Sequence, residues 1–189
     1  MDTAFIKAFD TFINAYKSQS DSENQGLMTE YDSDWQSPCF ELDNQLEDGD
    51  LVKWTPALRD PSANLGNIAS ALDLEIPAAF HHLFGRYYSF DLNAQTQRGK
   101  LTILQAINDE DFERLQKNLI AHVLMKRKLK QPETLFFAVT DEEDFVISLL
   151  PNSGEVVLEF VGKPHQEVLA ENLTAFFTSL DPVPTKVSL

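Results

Sequence analysis

The sequence predicts an α+β fold, a single domain in which a central, mostly antiparallel sheet is flanked by helices. Three apolar runs, 134–139, 145–150 and 156–160, follow one another with turn sequences between them, as consecutive antiparallel strands do. Amphipathic helical patterns lie before and after these runs rather than between them. The regular alternation of strands and helices that a doubly wound parallel sheet requires is therefore missing.

The composition indicates one folded domain over residues 1–189. The chain is 43% apolar and contains 14 Phe, an apolar content that disordered acidic chains lack. At this length one domain buries a full hydrophobic core. We expect an acidic, irregular segment at 18–50 within that domain, packed down by the large apolar residues that interrupt it.

Apolar spacing and turn residues place the other elements. Apolar residues at intervals of three and four predict helices, and short β-branched or aromatic runs predict strands. The predicted helices span 2–17, 64–72, 77–84, 109–127 and 166–180, and the remaining predicted strands span 51–54, 88–92 and 100–107. Asn108 is a favourable cap for the fourth helix, and the acids at 109–111 favour its positive end.

The strongest signal in the chain is its negative charge. Residues 21–50 contain ten acidic side chains and no basic one, whereas the whole chain has a net charge of −15. A field of one sign attracts and steers partners of the opposite sign. We therefore expect a basic partner. Nucleic acid is not expected, because phosphate binding requires a Lys/Arg surface.

Residue types that carry out chemistry are present without the necessary spacing. His81 and His82 are adjacent and would point about 100° apart on a helix, and His122 lies on the apolar stripe of its helix. Cys39 has no basic neighbour in sequence to hold a thiolate, so we interpret it as a small buried side chain. The acids from Asp21 to Asp32 are a near miss to a calcium loop. We predict no catalytic residues, metal, cofactor or small-molecule substrate.

The basic run at 126–130 admits two interpretations. It follows the predicted helix 109–127, where cations complement the negative helix end, and it could also contact nucleic acid. No second basic patch with interleaved aromatic residues supports the latter. We therefore expect this run to be a helix end in water.

Several longer strings resemble the Syd family of bacterial SecY-interacting proteins. They are SPCF at 37–40, VKWTP at 52–56, LTILQAINDEDFERLQKNLIAHVLMKRKLKQPETLFFAV at 101–139 and FVISLLPNSGEVVLE at 145–159. The segment 72–80 is also similar to a signature of the wider superfamily that contains Knr4-like and immunity proteins. The resemblance implies an α+β domain without enzymatic activity that binds cytosolic loops of the translocon subunit SecY and monitors or sequesters SecY that is not properly assembled. It also implies a concave acidic face as the docking surface.

These implications agree with the charge. Cytosolic loops of multispanning proteins are rich in Lys and Arg, so an acidic partner is electrostatically complementary to them. We expect a cytoplasmic protein that attaches peripherally to the inner membrane through SecY, without inserting into lipid. The predicted contact residues are Glu30, Asp32, Asp34, Glu41 and Asp43, with Trp35 and Trp54 as apolar anchors. For both tryptophans the alternative is core packing.

The acidity is compatible with two further interpretations. An immunity-type protein that neutralises a basic toxin would also need a negative face. A saline habitat would favour acidic surfaces for solubility, without any partner.

Overall fold

The computed structural model describes residues 3–22, 26–42, 45–142 and 144–184. Over these residues the chain forms five helices and eleven strands. The helices are α1 (Thr3–Ser22), α2 (Gly66–Leu72), α3 (Ala78–Gly85), α4 (Asp109–Lys128) and α5 (Leu173–Thr178). The strands are β1 (Leu27–Glu30), β2 (Leu51–Trp54), β3 (Ala57–Leu58), β4 (Tyr87–Tyr88), β5 (Leu92–Thr96), β6 (Gly99–Ile103), β7 (Leu135–Thr140), β8 (Phe145–Leu149), β9 (Val156–Phe160), β10 (His165–Ala170) and β11 (Asp181–Pro182).

Seven strands form one antiparallel sheet in the order β10-β9-β8-β7-β6-β5-β11. One edge strand, β11, is only two residues long and packs against α1. The other edge strand, β10, has two irregularities in its pairing with β9. Short and bulged edges discourage pairing with a second chain. Two smaller sheets, β1-β2 and β3-β4, lie outside the large one.

Helices cover both faces of the large sheet. Phe136 and Phe137 are neighbours on β7 and point to opposite faces, as successive strand residues do. The Phe136 ring contacts His122 of α4 at 5.3 Å, and the Phe137 ring contacts Phe176 of α5 at 5.7 Å. Helix α4 therefore lies on one face of the sheet and α5 on the other.

Phe177 joins α1 to the face of the sheet that α5 covers. Its ring lies 5.3 Å from those of Phe5 and Phe9 and 5.8 Å from that of Phe12, all on α1. These residues belong to the stripe with intervals of three and four that predicted the helix. Capping follows the same local rules, because the Asn108 side chain accepts a hydrogen bond from the Asp111 amide at the start of α4.

The predicted α+β class with a central antiparallel sheet flanked by helices is confirmed. The strands predicted at 51–54 and 156–160 form with those bounds. The prediction of one strand over 88–92 is wrong. Tyr87–Tyr88 pairs with β3, and the strand of the large sheet begins only at Leu92. The strand predicted to reach 107 ends at Ile103, because the chain there turns toward the Asn108 cap.

The prediction of one last helix over 166–180 is also wrong. Residues 165–170 form β10, and the helix covers only Leu173–Thr178. Residues 165–170 form a strand because β9 lies beside them and pairs with their backbone. The helix begins only after Asn172, whose side chain caps it by accepting a hydrogen bond from the Ala175 amide. Val168, an apolar residue within the range predicted as a helix, is exposed on the edge strand.

Candidate functional site: the acidic segment and the concave face of the sheet

Residues 26–42 and 45–50, here called the acidic segment, are held at one end by a two-stranded sheet. Strand β1 pairs with β2 in a register that places Glu30 opposite Leu51. The chain that leaves β1 stays beside the chain that enters β2, because Tyr31 donates its amide to Asp50 and accepts from the amide of Gly49. The described part of the acidic segment is therefore packed down, as expected.

Some acids of this segment stabilise its turns. The Asp48 carboxylate accepts from the Ser33 amide at 2.7 Å, that of Asp32 from the Asp34 amide at 2.9 Å, and that of Asp50 from the Glu47 amide at 2.8 Å. The hydrogen bonds from the Ser33 backbone and side chain hold the pKa of Asp48 below its usual value. These carboxylates remain exposed, so they add to the negative surface while they fix the backbone that carries it.

The predicted acidic contacts differ in how free they are. Glu30 and Asp34 are exposed, and neither side chain pairs with another residue that the structure describes. Glu41 is also exposed and lies 3.5 Å from the Lys53 ammonium group. Asp43 lies outside the described residues. Glu30, Asp32, Asp34 and Glu41 thus present four exposed carboxylates, and among the described residues only Glu41 forms an ion pair.

The acidic segment is fastened to the start of α4. The Ser37 hydroxyl donates to the Ile107 carbonyl at 2.6 Å, and the Asn108 side-chain amide donates to the Gln36 carbonyl at 2.9 Å. The Phe40 ring packs 6.1 Å from that of Phe90. The segment therefore lies at the end of the large sheet where β5 begins and β6 ends.

The two tryptophans have different environments. Trp54 is 5% exposed and packs at 4.8 Å against Phe90, so the structure favours the alternative of core packing over the predicted anchor. Trp35 is half-buried, with the Arg114 guanidinium 5.2 Å from its ring centre. Of the two, only Trp35 is partly exposed.

A concave pocket of about 750 Å³ lies at the opposite end of the sheet. The β5–β6 turn, the β7–β8 turn, β10 and the end of α5 surround it, on the face that α5 covers. Its apolar lining is Leu101, Phe145, Ile147, Leu158, Leu169 and Phe176, and its charged lining is Arg98, Lys100, Asp141 and Glu142. Among the described lining residues cations and anions are equal in number.

A buried ionic network lies on the other face of the sheet. Glu159 of β9 and Lys126 of α4 are both 0% exposed and form an ion pair. Four donors surround the Glu159 carboxylate: Lys126, Ser148 at 2.6 Å, Thr134 at 2.8 Å and His122 at 3.3 Å. Burial acts to raise the pKa of Glu159, but the four donors outweigh it and lower the pKa to about 2.

This network corrects the interpretation of the basic run for Lys126 alone, because Arg127, Lys128 and Lys130 are exposed at the helix end, as expected. Lys126 also donates to the Lys163 carbonyl at 2.7 Å, so it ties α4 to the β9–β10 turn. Glu159 follows Val157 by two residues, so both side chains lie on the same buried face of β9. That inward position is the sequence signal that could have identified the network.

Two other residues that were considered for chemistry, His122 and Cys39, are part of the packed structure. His122 is hydrogen-bonded next to Glu159, as its place on the apolar stripe suggested. Cys39 is buried as expected, and its burial raises the pKa of the thiol. The near miss to a calcium loop lies partly outside the described residues. Within the described ranges no group of three or more His, Cys, Asp or Glu is arranged to hold a metal ion.

Comparison with known proteins identifies the class. Residues 6–182 match the family described as Syd protein (SUKH-2). The chain is 42% identical over 174 residues to Protein Syd of Alteromonas mediterranea, covering 92% of this chain and 94% of that protein. It is 39% identical over 185 residues to Protein Syd of Pseudoalteromonas atlantica, covering 98% and 100%. Protein Syd of Colwellia psychrerythraea is 40% identical over 180 residues, or 89% of this chain and 88% of that protein.

A match of this extent establishes the family: the chain belongs to the Syd family. The predicted resemblance is therefore confirmed. In the part of the chain that the structure describes, no helix is both long enough and apolar enough to cross a membrane.

Proposed function

We propose that this protein is a non-enzymatic interaction protein that binds basic cytosolic loops of SecY through its acidic segment. The observation that carries the proposal is the set of exposed carboxylates at Glu30, Asp32, Asp34 and Glu41 on one short segment, of which Glu41 alone forms an ion pair with a described residue, Lys53. The segment is also fixed to α4 and the large sheet, so a partner would meet a preformed surface. Preformed surfaces lose less conformational freedom on binding.

The proposed contact set follows from burial. Glu30 and Asp34 have no intramolecular partner among the described residues and are the acids most available to a basic loop. Asp32 and Glu41 contribute charge while making the contacts described above. Asp43 stays in the proposed set by sequence position. Trp35 is the proposed apolar anchor, whereas Trp54 supports the surface from the core.

Binding would place the protein at the cytoplasmic side of the inner membrane, with SecY and not lipid as its attachment. A net charge of −15 is repelled by anionic lipid. Exposed charges at an interface mainly raise the association rate and make binding sensitive to salt. The role of the complex would be to monitor or sequester unassembled or abnormal SecY and, through that, to restrain translocation.

A pull-down from detergent-solubilised inner membranes tests the proposal. The tagged protein is incubated at low and at high salt, a change that shortens the Debye length from about 14 to about 4 Å. We expect SecY to be retained at low salt and released at high salt. Failure to retain SecY under either condition would overturn the proposal. Retention of a small basic protein in its place would favour the immunity-type alternative.

A further inference from the structure

Helix α4 carries a line of exposed residues on the side that faces away from the sheet. They recur at intervals of three and four, so they form one stripe along the helix. All of them are exposed, and they are Arg114, Lys117, Ala121, Leu124 and Lys128, here called the basic stripe. The Leu124 side chain, at 51% exposed, is the apolar member of the stripe. Cations therefore lie on both sides of a small residue and an apolar residue on an open helix face.

This part of α4 departs from the strong negative charge of the chain. Residues 114–132 contain no acidic side chain, whereas the net charge of the whole chain is −15. Their basic residues are Arg114, Lys117, Lys126, Arg127, Lys128 and Lys130. Neither Lys117 nor Lys128 forms an ion pair with a described residue. These two exposed cations are therefore available to acids of a second molecule.

The acidic segment reaches the same side of α4 near the start of the helix. The Arg114 guanidinium, the first member of the basic stripe, lies 5.2 Å from the centre of the Trp35 ring. The Asn108 side chain, which caps α4, donates to the Gln36 carbonyl at 2.9 Å. The exposed Asp34 directly precedes Trp35 in the chain. The acidic segment and the basic stripe therefore form one continuous face.

This face is acidic at one end and basic at the other. Glu113 is exposed near the start of α4 and adds to the charge of the acidic segment there. Arg114 does not cancel that charge, because it forms an ion pair with Asp111 at 2.6 Å. Lys128 lies fifteen residues after Glu113, a rise of about 22 Å along the helix. The two ends are therefore far enough apart to contact different parts of a second molecule.

We propose that this face is the interface of a homodimer, in which α4 of one copy lies antiparallel to α4 of the other across a two-fold axis. The antiparallel arrangement sets the acidic end of each copy against the basic end of its partner, so that one complementary contact is made twice. Ala121 and Leu124 lie between the two ends and supply the apolar centre. The occupant of the basic stripe is a second copy, because the chain itself carries the complementary acidic surface.

The inference goes beyond the proposed function, because it rests on the charges and contacts of this chain alone. The net charge of −15 opposes self-association, so the dimer is weak and depends on protein concentration. Its contacts cover part of the acidic segment. Dimerisation and a basic partner therefore compete for the same carboxylates.

Sedimentation velocity of the purified protein over a range of concentrations tests the dimer. An ionic strength of about 0.1 M gives a Debye length of about 10 Å, which screens repulsion between distant charges more than attraction between charges in contact. We expect Lys117→Glu with Lys128→Glu to raise the dimer dissociation constant at least about tenfold, because like charges then meet at both symmetric contacts. The control, Lys7→Glu with Lys100→Glu, makes the same change in net charge at exposed positions on other elements and should leave the constant within about twofold.

Reversal of the acids provides a sharper test. Asp34→Lys with Glu113→Lys lowers the magnitude of the net charge, so overall repulsion alone predicts tighter self-association, whereas the proposed interface predicts weaker self-association. When this variant is mixed with Lys117→Glu, Lys128→Glu, opposite charges meet again at both contacts. We expect the mixture to form a heterodimer although each variant alone is monomeric. Labelling one variant with a fluorophore detects it, and thermal denaturation checks that every variant is folded.

Four results would overturn the inference. They are an unmodified protein that is monomeric at every concentration, an equal loss in the control, tighter self-association of the acid-reversed variant, and a mixture that does not associate. Binding of a monomeric protein to phosphatidylglycerol vesicles, lost in Lys117→Glu with Lys128→Glu, would assign the basic stripe to anionic lipid and also overturn the dimer. The sedimentation experiment contains no SecY, so its result and that of the SecY pull-down are independent.

Discussion

Carboxylates lie in opposite environments in two regions of this protein. Glu159 is completely buried between β9 and α4, where Lys126 and three further donors surround it. Glu30 and Asp34 lie on the acidic segment, exposed and without a described partner. A buried charge must be paired, because an unpaired one loses its hydration, whereas an exposed charge stays hydrated until a partner arrives. The first type therefore governs stability, and we propose that the second governs association.

The largest expected loss of stability follows from removing the charge of the buried Glu159 carboxylate. Glu159→Gln should lower the free energy of unfolding by about 3 to 5 kcal/mol, because Lys126 is left as a buried charge without a counter-ion. Denaturant titration at neutral pH measures it. A loss below about 1 kcal/mol would contradict the comparison, since it would make this buried carboxylate no more important than an exposed one.

The same residue predicts a pH dependence. The pKa of Glu159 is about 2 in the folded protein and 4.5 ordinarily, so its stabilisation is complete above about pH 4.5 and is lost as the pH falls toward 2. Denaturant titration at several pH values measures the free energy of unfolding of the unmodified protein and of Glu159→Gln. We expect the difference between the two free energies to shrink by about 3 kcal/mol as the pH falls from 4.5 to 2. A difference that does not vary with pH would contradict the lowered pKa of Glu159 as the source of the pH dependence.

The tryptophans extend the comparison to apolar side chains. Trp54→Ala should cost about 3 to 5 kcal/mol of stability, because it leaves a cavity beside Phe90. Trp35→Ala should cost about 1 kcal/mol, since the indole is half-buried and contacts Arg114. If Trp35 is an anchor, its removal should weaken SecY binding more than it lowers the melting temperature. Equal losses for the two variants in thermal denaturation would contradict their different placement.

Asp10 is an intermediate case. Arg86 donates two hydrogen bonds to it at 2.6 and 2.7 Å, and the Tyr87 hydroxyl donates one at 2.8 Å. The Arg86 hydrogen bonds lower the pKa of Asp10, although partial burial opposes them. Asp10→Asn should cost about 1 to 2 kcal/mol in denaturant titration, between the buried and exposed cases. A loss of stability as large as that of Glu159→Gln would contradict the expected ranking of carboxylates by burial.

Local patterns predicted much of the fold but little of the ionic network. The stripe of α1, the Asn108 cap of α4 and the apolar run of β9 are short-range signals, and all three elements form. The edge strand β10 was missed because its backbone partner, β9, matters more than the helical spacing of its apolar residues. The Lys126–Glu159 pair joins residues 33 positions apart, so it depends on packing that no local pattern specifies.

The candidate site was predicted to a similar degree. Charge density identified the acidic segment, and the structure shows that its described acids are exposed. It does not bring Trp54 to the surface, because a tryptophan that follows a buried valine by two residues points to the same interior face of β2. The pocket could not be predicted, since its lining residues come from separate strands, turns and a helix that only the tertiary fold brings together.

The smallest expected effect on stability is at the acidic segment itself. The double substitution Glu30→Gln and Asp34→Asn should change the free energy of unfolding by less than about 0.5 kcal/mol. Thermal denaturation measures it alongside Glu75→Gln with Glu171→Gln, which removes two exposed acids elsewhere. A loss of several kcal/mol would show that these acids are structural.

The most direct test of the central claim is the association rate with SecY. Surface plasmon resonance would follow binding to immobilised SecY complexes in nanodiscs for the two double variants, which have equal net charge. We predict that Glu30→Gln with Asp34→Asn slows association several-fold at low salt, and that Glu75→Gln with Glu171→Gln leaves it close to that of the unmodified protein. Equal association rates for the two double variants would contradict the account, because only overall charge would then matter and the acidic segment would not be the docking surface.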